Sequence, residues 1–215
     1  LPALDEGVYL YAARLMADGL VPYRDFFLSH PPFLMAAAAA GLSACRFDVP
    51  LFSFLYVCWV FSAVFPLALV VRRLGGSRTA AILAGVLLSL SAVFAGNDGH
   101  FFALRQASAP LLLWGLAALL RGRHATGGAL LGAFAVGVVT NVVLAGSVLV
   151  AWVLLGTDPG RGRPKAVARA TMPFLVVTAA SLAIVLSIPR GAENVFGVQV
   201  DRPRATLAER AGQLR

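Results

Sequence analysis

Long apolar stretches of this chain run without a single Asp, Glu, Lys or Arg, among them Leu51–Val71, Thr79–Asn97, Gln106–Leu120, His124–Thr157 and Ala170–Pro189. A membrane-crossing helix needs roughly 20 predominantly apolar residues, within a range of about 17–25. The first and last stretches meet that length and the second fits it. The third reaches it by borrowing flanking residues whose long side chains snorkel. The stretch from His124 to Thr157 requires a choice. A single helix there would be on the order of 50 Å long, against a hydrocarbon core of about 30 Å. Asn141 sits near its middle, among Gly127, Gly128, Gly132, Gly137 and Gly146. The pattern predicts two short helices, 125–140 and 142–156, meeting near Thr140-Asn141. The glycines allow close helix approach, although Gly127, Gly132 and Gly137 do not show the four-residue spacing of the common dimer motif.

Phe33–Cys45 is apolar but too short to cross, and is expected to lie on the surface as an amphipathic helix. The expected fold class is therefore all-α. It is a polytopic integral membrane protein with about six transmembrane helices, at 51–71, 79–95, 106–120, 125–140, 142–156 and 170–189, plus external amphipathic helices in a first outer loop. The chain divides into that external loop over 1–50, a helix bundle over 51–189 and a second external loop over 190–215. Composition agrees. Charged residues make up 13% and hydrophobic residues 59%, with mean hydropathy +0.81, whereas a soluble domain carries about 25% charged residues.

Charge tests the topology. With these crossings, the loops on one side hold Arg72, Arg73, Arg78, Arg121, Arg123, Arg161, Arg163, Lys165 and Arg169 and a single acid, Asp158. The other side holds the remaining nine basic residues and nine of the ten acids, so one face carries the whole net charge of +8. Basic residues in short loops mark the cytoplasmic side. Residues 1–32, 96–105 and 190–215 are thus expected outside. The basic balance is a topology signal and not a nucleic-acid footprint, since the arginines form no stripe or motif. Cys45 and Cys58 are isolated and have no metal-ligand spacing; pairing between them cannot be deduced from sequence. The chain opens and closes in external loops without a leader-like segment, and we expect it to be part of a longer protein.

The outer loops carry the candidate chemistry. From Asp5 to Asp18 the pattern reads as a helix. Asp5 is a good N-cap, Val8, Tyr11, Ala12 and Leu15 share a face, and Gly19 supplies the stop. Glu6 is a first-turn acid that the helix dipole favours. The same carboxylates, held at an outer membrane face, also suit a general base. His30-Pro31-Pro32 forms a rigid corner launching the helix over 33–45, since proline is pre-organised for the first helical position. Asp98 and His100, in Gly96-Asn97-Asp98-Gly99-His100, lie in a turn-rich loop. They offer two donors to a divalent cation, too few to assign one, and no cofactor is assigned. Arg105 starts a crossing from the outside and suits a headgroup anchor.

The runs Asp5-Glu6-Gly7-Val8-Tyr9, Ala13-Arg14-Leu15-Met16-Ala17-Asp18-Gly19, Pro22-Tyr23-Arg24-Asp25-Phe26-Phe27 and His30-Pro31-Pro32 together resemble a known loop. It is the first external loop of the C-type (GT-C) membrane glycosyltransferases, in the protein O-mannosyltransferase and aminoarabinose-transferase group (glycosyltransferase family 39-like). Arg72-Arg73-Leu74-Gly75-Gly76, Leu119-Leu120-Arg121-Gly122-Arg123 and the glycine-rich 127–137 also look like that family's core. The resemblance implies an inverting transferase that moves a sugar from a polyprenyl-phosphate donor to a lipid, glycan or protein acceptor outside a bacterial plasma membrane. It implies Asp5 as the base and Glu6 as its support. Arg105 is the first choice for the donor phosphate, then Arg24, with Arg202 and Arg204 behind them. His30, Tyr9 and Asp98 would contact substrate. The competing expectations are a polytopic transporter or lipid flippase fragment, and a non-catalytic scaffold. A transporter usually shows polar groups at mid-membrane, and these stretches are nearly free of them.

Overall fold

In the computed structural model, residues 4–28, 30–95, 104–138, 141–155, 163–188, 191 and 193 are described, and among them every regular element is an α-helix. In chain order these are α1 (Leu4–Ala17), α2 (Phe33–Ala44), α3 (Val49–Phe61), α4 (Val64–Arg73), α5 (Arg78–Ala95), α6 (Leu104–Leu120), α7 (His124–Ala135), α8 (Asn141–Leu155) and α9 (Arg163–Ser187). Two helical stretches are long and apolar enough to cross a membrane by length and composition: Val49–Arg73, which takes in α3 and α4, and Pro164–Ser187 of α9. Phe33–Ala44, Arg78–Leu90, Gln106–Leu120 and Asn141–Leu154 are shorter apolar helices.

The chain's punctuation explains the boundaries. α1 stops at Gly19, whose φ of 89° suits glycine. There the Leu20 N–H reaches the Leu15 carbonyl and the Gly19 N–H reaches Met16, the paired bonds of a Schellman end. The same pairing recurs at Gly75 and Gly122. α2 ends without a glycine: Arg46 and Phe47 both take left-handed backbone, φ 53° and 61°. The Arg14 guanidinium stacks 3.6 Å over the Phe47 ring while its Nε bonds Asp18 at 3.0 Å. That cation–π contact links the end of α1 to the strained corner after α2. Asp48 caps α3 by accepting the Leu51 N–H at 3.0 Å.

The expected span over 51–71 is interrupted at Ser62-Ala63, between α3 and α4. Pro66 has no N–H for the Ser62 carbonyl, which instead takes the Phe65 N–H at 3.3 Å, and the turn tightens. The helix at the last expected span, 170–189, starts earlier, at Arg163, and runs through Pro173. The helix expected over 125–140 ends at Ala135 and turns through Val138. α8 then starts at Asn141, whose Nδ2 donates to the Phe134 carbonyl at 3.1 Å and to Ser108 Oγ at 3.2 Å. The junction expected near Thr140-Asn141 is thus present and pinned to α6.

Contacts fix the direction of each helix. Tyr56 and Trp59 of α3 and Ser62 just past its end meet Gln106, Ala107 and Trp114 of α6, so these two run parallel. α7 returns antiparallel to α6, with Gly127 against Leu119 and Gly137 against Ser108. α8 turns back again, and the Trp152 ring lies 5.3 Å from the His124 ring. α9 follows the direction of α7, from Ala170 beside Gly128 to Val177 beside Gly132. Arg72, Arg73, Arg78, Arg121, Arg123, Lys165 and Arg169 consequently collect at one end of the bundle. The first loop sits at the other.

Several local expectations are corrected. α1 begins at Leu4, so Asp5 lies within the first turn and is not its N-cap; Pro32, similarly, sits at the N-cap of α2 and not at its first helical position. The buried side of α1 holds Ala12 and Ala13, with Tyr9, Leu10, Met16 and Ala17 packed beside them. Val8 and Tyr11, expected on that side, are 57% and 65% exposed. α2 buries Leu34, Met35, Ala38, Ala39 and Leu42, but its outer side shows Phe33, Ala36, Ala37 and Ala40. It is apolar around most of its circumference and not amphipathic.

The close approach expected of the glycines is seen at α7. Gly128 and Gly132 do have the four-residue spacing, and the bundle uses them. A Cβ on Gly128 would run into the Ala170 backbone, and one on Gly132 would stand 2.9 Å from Val177 Cβ. On its other side, a Cβ on Gly127 would come within 2.6 Å of Leu119 Cδ2. α7 is therefore wedged between α6 and α9 at backbone contact. We expect Gly128→Ala and Gly132→Ala each to destabilise the protein by about 1–3 kcal/mol through overpacking. Gly146→Ala, where nothing lies within 4 Å, should be neutral or stabilise by up to about 1 kcal/mol. Thermal unfolding of the purified variants checks this.

Candidate functional site

The first loop is locked onto α1 by two tyrosines that converge on His30. The Tyr9 Oη lies 3.2 Å from His30 Nε2, with ring centroids 6.0 Å apart. Which of the two donates follows the imidazole tautomer. Tyr23, buried in the same cluster, donates from its hydroxyl to the His30 carbonyl at 2.6 Å. His30 is therefore held by its ring from one side and by its backbone from the other. Burial pushes the Tyr23 hydroxyl well above its ordinary pKa, which keeps it a proton donor.

Tyr23 reaches His30 from a left-handed backbone, φ 68°, a strained choice for an aromatic residue. The local bonds hold it there. The Tyr23 N–H donates to the Phe26 carbonyl at 2.8 Å and the Asp25 N–H to the Val21 carbonyl at 2.9 Å. Asp25 Oδ2 accepts the Val21 N–H at 2.7 Å. Arg24 closes a two-pronged pair on Asp25, Nε to Oδ1 and Nη2 to Oδ2, each at 2.9 Å. The Arg24 bond and the Val21 amide lower the Asp25 carboxyl to about 2, and the same pair raises the Arg24 guanidinium.

This latch sits where several helix ends meet. Tyr23 and Leu28 share an apolar cluster with Met35 and Leu42 of α2, Tyr56 of α3, Ala107 in the first turn of α6 and Val185 near the end of α9. A Cβ on Gly191, just past α9, would lie 3.5 Å from Tyr23 Cδ2. The start of α6 is held tightly: Tyr56 Oη donates to Gln106 Oε1 at 3.4 Å, Trp59 Nε1 to the Ala107 carbonyl at 2.8 Å, and Asn141 to Ser108. Pro110 opens the adjoining turn of α6, and the Trp59 indole meets a carbonyl in that opened turn.

The expected site residues divide accordingly. Tyr9 and His30 are brought together. Asp5 and Glu6 lie in the first turn of α1, with Asp5 one turn ahead of Tyr9 on the same helix, and Arg105 immediately precedes the anchored residues of α6. These three are described by their helical backbone alone. Arg24 is exposed, with its fork closed on Asp25. Asp98, His100, Arg202 and Arg204 lie outside the described residues. Among the described residues, no three His, Cys, Asp or Glu side chains gather as metal ligands. Cys45 and Cys58 are free, the first buried and the second exposed.

Two elements of this site escaped the sequence. Tyr23 gave no signal, because left-handed backbone is read from Gly, Asn or Asp and not from an aromatic residue. The Ser108–Asn141 bond joins positions 33 apart in sequence; the polar break at Asn141 hinted at one partner but could not name Ser108. No family model matches this chain, and neither a curated protein nor a solved structure does.

Tyr23→Phe removes a buried donor from the His30 carbonyl and is expected to cost about 1–3 kcal/mol, read as a lower unfolding midpoint. Asp25 supplies a pH test. Because its folded pKa is depressed, its contribution is complete above the ordinary value of 3.8 and is lost as pH falls through about 2. The Val21 amide resonance, bonded to this carboxylate, should titrate with a midpoint near the lower value and lose that step in Asp25→Asn.

Proposed function

We propose that this chain is the N-terminal module of an inverting membrane glycosyltransferase of the C type, working at the external face of a bacterial plasma membrane. The observation that carries this reading is the separation of the two bundle ends. The latch of Tyr9, Tyr23 and His30, with the first turns of α1 and α6, occupies one end. The described basic residues of the short connections occupy the other, with no acid beside them among the described residues. That arrangement fits basic loops facing the cytoplasm. The outward sides of α5, α8 and α9 expose Ile82, Leu87, Val143, Leu154, Val176 and Ile184. A soluble monomer rarely leaves so continuous an apolar surface uncovered. On this reading α3 with α4, then α5, α6, α7, α8 and α9, make six crossings.

The chemistry follows from the residues at the latch end. An acceptor hydroxyl oxygen attacks the anomeric carbon of a polyprenyl-phosphate sugar as the Asp5 carboxylate takes its proton. The bond from the anomeric carbon to the phosphate oxygen breaks on the opposite face, which inverts the configuration. The lipid phosphate departs with that electron pair. Its growing negative charge is stabilised more in the transition state than in the ground state by a nearby cation. Arg105 has that role, and Arg202 and Arg204 are the reserve. Arg24 is the weaker choice because Asp25 already occupies its fork. Glu6 supports Asp5, while His30, oriented by both tyrosines, contacts sugar or acceptor together with Tyr9 and Asp98.

The flippase reading draws on one observation, the break at Ser62-Ala63 in the long apolar stretch, since transporters use discontinuous helices. Here the break follows from Pro66, and Ser62 Oγ already accepts the Trp114 indole at 3.3 Å. The transferase reading accounts for more.

Membranes carrying the intact protein should transfer radiolabel from a pool of polyprenyl-phosphate sugars. Asp5→Asn should lower the rate by about 10²–10⁴-fold at unchanged expression. Tyr9→Phe, which removes the Tyr9 hydroxyl from His30 Nε2, should lower it by a smaller factor. Transfer that survives Asp5→Asn would move the base to Glu6 or Asp98. Lipid flipping without transfer would replace the transferase reading.

A further inference from the structure

α4 and α5 form an antiparallel pair whose outward groove no other described element covers. The two helices come close at Gly85, where a Cβ would stand 2.9 Å from Val64 Cγ1. Along them runs a cavity of about 580 Å³, floored by small residues such as Ala68 and Ala81 and walled by Ile82 and Val86. That volume falls within the ~300–1,000 Å³ of sites that hold small ligands. The groove is polar at one end only. Ser89, toward its far end, spends its hydroxyl on the Gly85 carbonyl at 2.9 Å. Arg72 and Arg78 line the other end. Arg72 donates Nη1 to the Gly76 carbonyl at 3.2 Å, which ties it to the turn while its guanidinium keeps further donors. Neither arginine has an acidic partner among the described residues.

We propose that this groove binds an anionic phospholipid from the basic-end leaflet, one acyl chain lying along Ala68, Ala81 and Gly85 and the phosphate held by Arg72 and Arg78. The inference rests on the membrane-spanning reading but not on the glycosyltransferase one. Its chemistry is that of an apolar slot closed by two cations, which matches a molecule with an apolar tail and an anionic head. A second copy of this chain fits less well. Copies inserted in one membrane share an orientation, so pairing through this groove would bring the arginines of both together.

The test is native mass spectrometry of the protein released from vesicles of equal parts phosphatidylglycerol and phosphatidylcholine. The wild type should retain phosphatidylglycerol over phosphatidylcholine by about tenfold, and the Arg72→Gln/Arg78→Gln double variant should lose that preference. Arg121→Gln/Arg123→Gln, which removes two charges at the same end outside the groove, should keep it. Ile82→Trp, at an exposed wall position, should reduce total lipid retention without changing the fold. A phosphatidylglycerol preference unchanged in the Arg72/Arg78 variant, loss of the preference in the Arg121/Arg123 variant, displacement by inorganic phosphate alone, or a dimer in place of a lipid adduct would each overturn the site. Alkaline carbonate extraction of the same vesicles separates the premises. A chain that washes off overturns the membrane reading, whereas an integrated chain without the lipid preference overturns only the groove.

Discussion

The approach of the α7 backbone to α6 and α9 is the constraint on which the rest of the structure depends. Side chains normally hold packed helices 8–10 Å apart. Gly127 on one side of α7, and Gly128 and Gly132 on the other, remove that spacing, and the wedge brings α6 and α9 to either side of a single short helix. Dispersion between closely apposed atoms is individually weak but adds over the whole contact, which continues through Leu119, Leu131 and Phe174. Because α7 is antiparallel to α6 and parallel to α9, the start of α6 and the end of α9 arrive at one end of the bundle. The first loop finds its docking surface there.

Polar groups inside this apolar assembly are placed where the backbone needs them. Pro110 and Pro66 each remove a helical bond, and in each case an indole from a neighbouring helix donates into the loosened turn, Trp59 to the Ala107 carbonyl and Trp114 to Ser62 Oγ. Asn141 does the same for the end of α7. A buried carbonyl or hydroxyl without a partner is costly in apolar surroundings. The Asn141 bond therefore satisfies a carbonyl at the helix reversal, while the two indoles find acceptors beside Pro110 and Pro66. These bonds also fix the rotation of α6, and with it the position of the helix start at Leu104-Arg105.

The first loop shows strain set against local bonding. Tyr23, Arg46 and Phe47 all occupy left-handed backbone, where each costs of order 1–3 kcal/mol. The Asp25 side chain and the Arg24 fork surround Tyr23, and the Arg14 guanidinium covers Phe47. Both corners lie at the latch end. A loop held in this way keeps His30 in a fixed arrangement against Tyr9 and Tyr23.

Several features were determined by the sequence alone, because they depend on local chemistry. The charge-free stretches set where helices occur, Gly19 stops α1, and Asn141 marks the reversal between α7 and α8, since capping and chain reversal are settled by residues close in the chain. The collection of basic residues at one end also follows from the order of the short connections. Tertiary structure decided what depends on distant partners. Periodicity put Val8, Tyr11, Ala12 and Leu15 on one side of α1; of these α2 and the loop took Ala12, joined by Ala13, because small residues admit closer packing against a neighbour. The four-residue spacing of Gly128 and Gly132 was present in the chain, yet only α9 gave it a use. The meeting of Tyr9, Tyr23 and His30 was beyond the sequence for the same reason. A left-handed tyrosine is affordable only where burial and the Asp25 bonds hold it, and those conditions exist only in the folded chain.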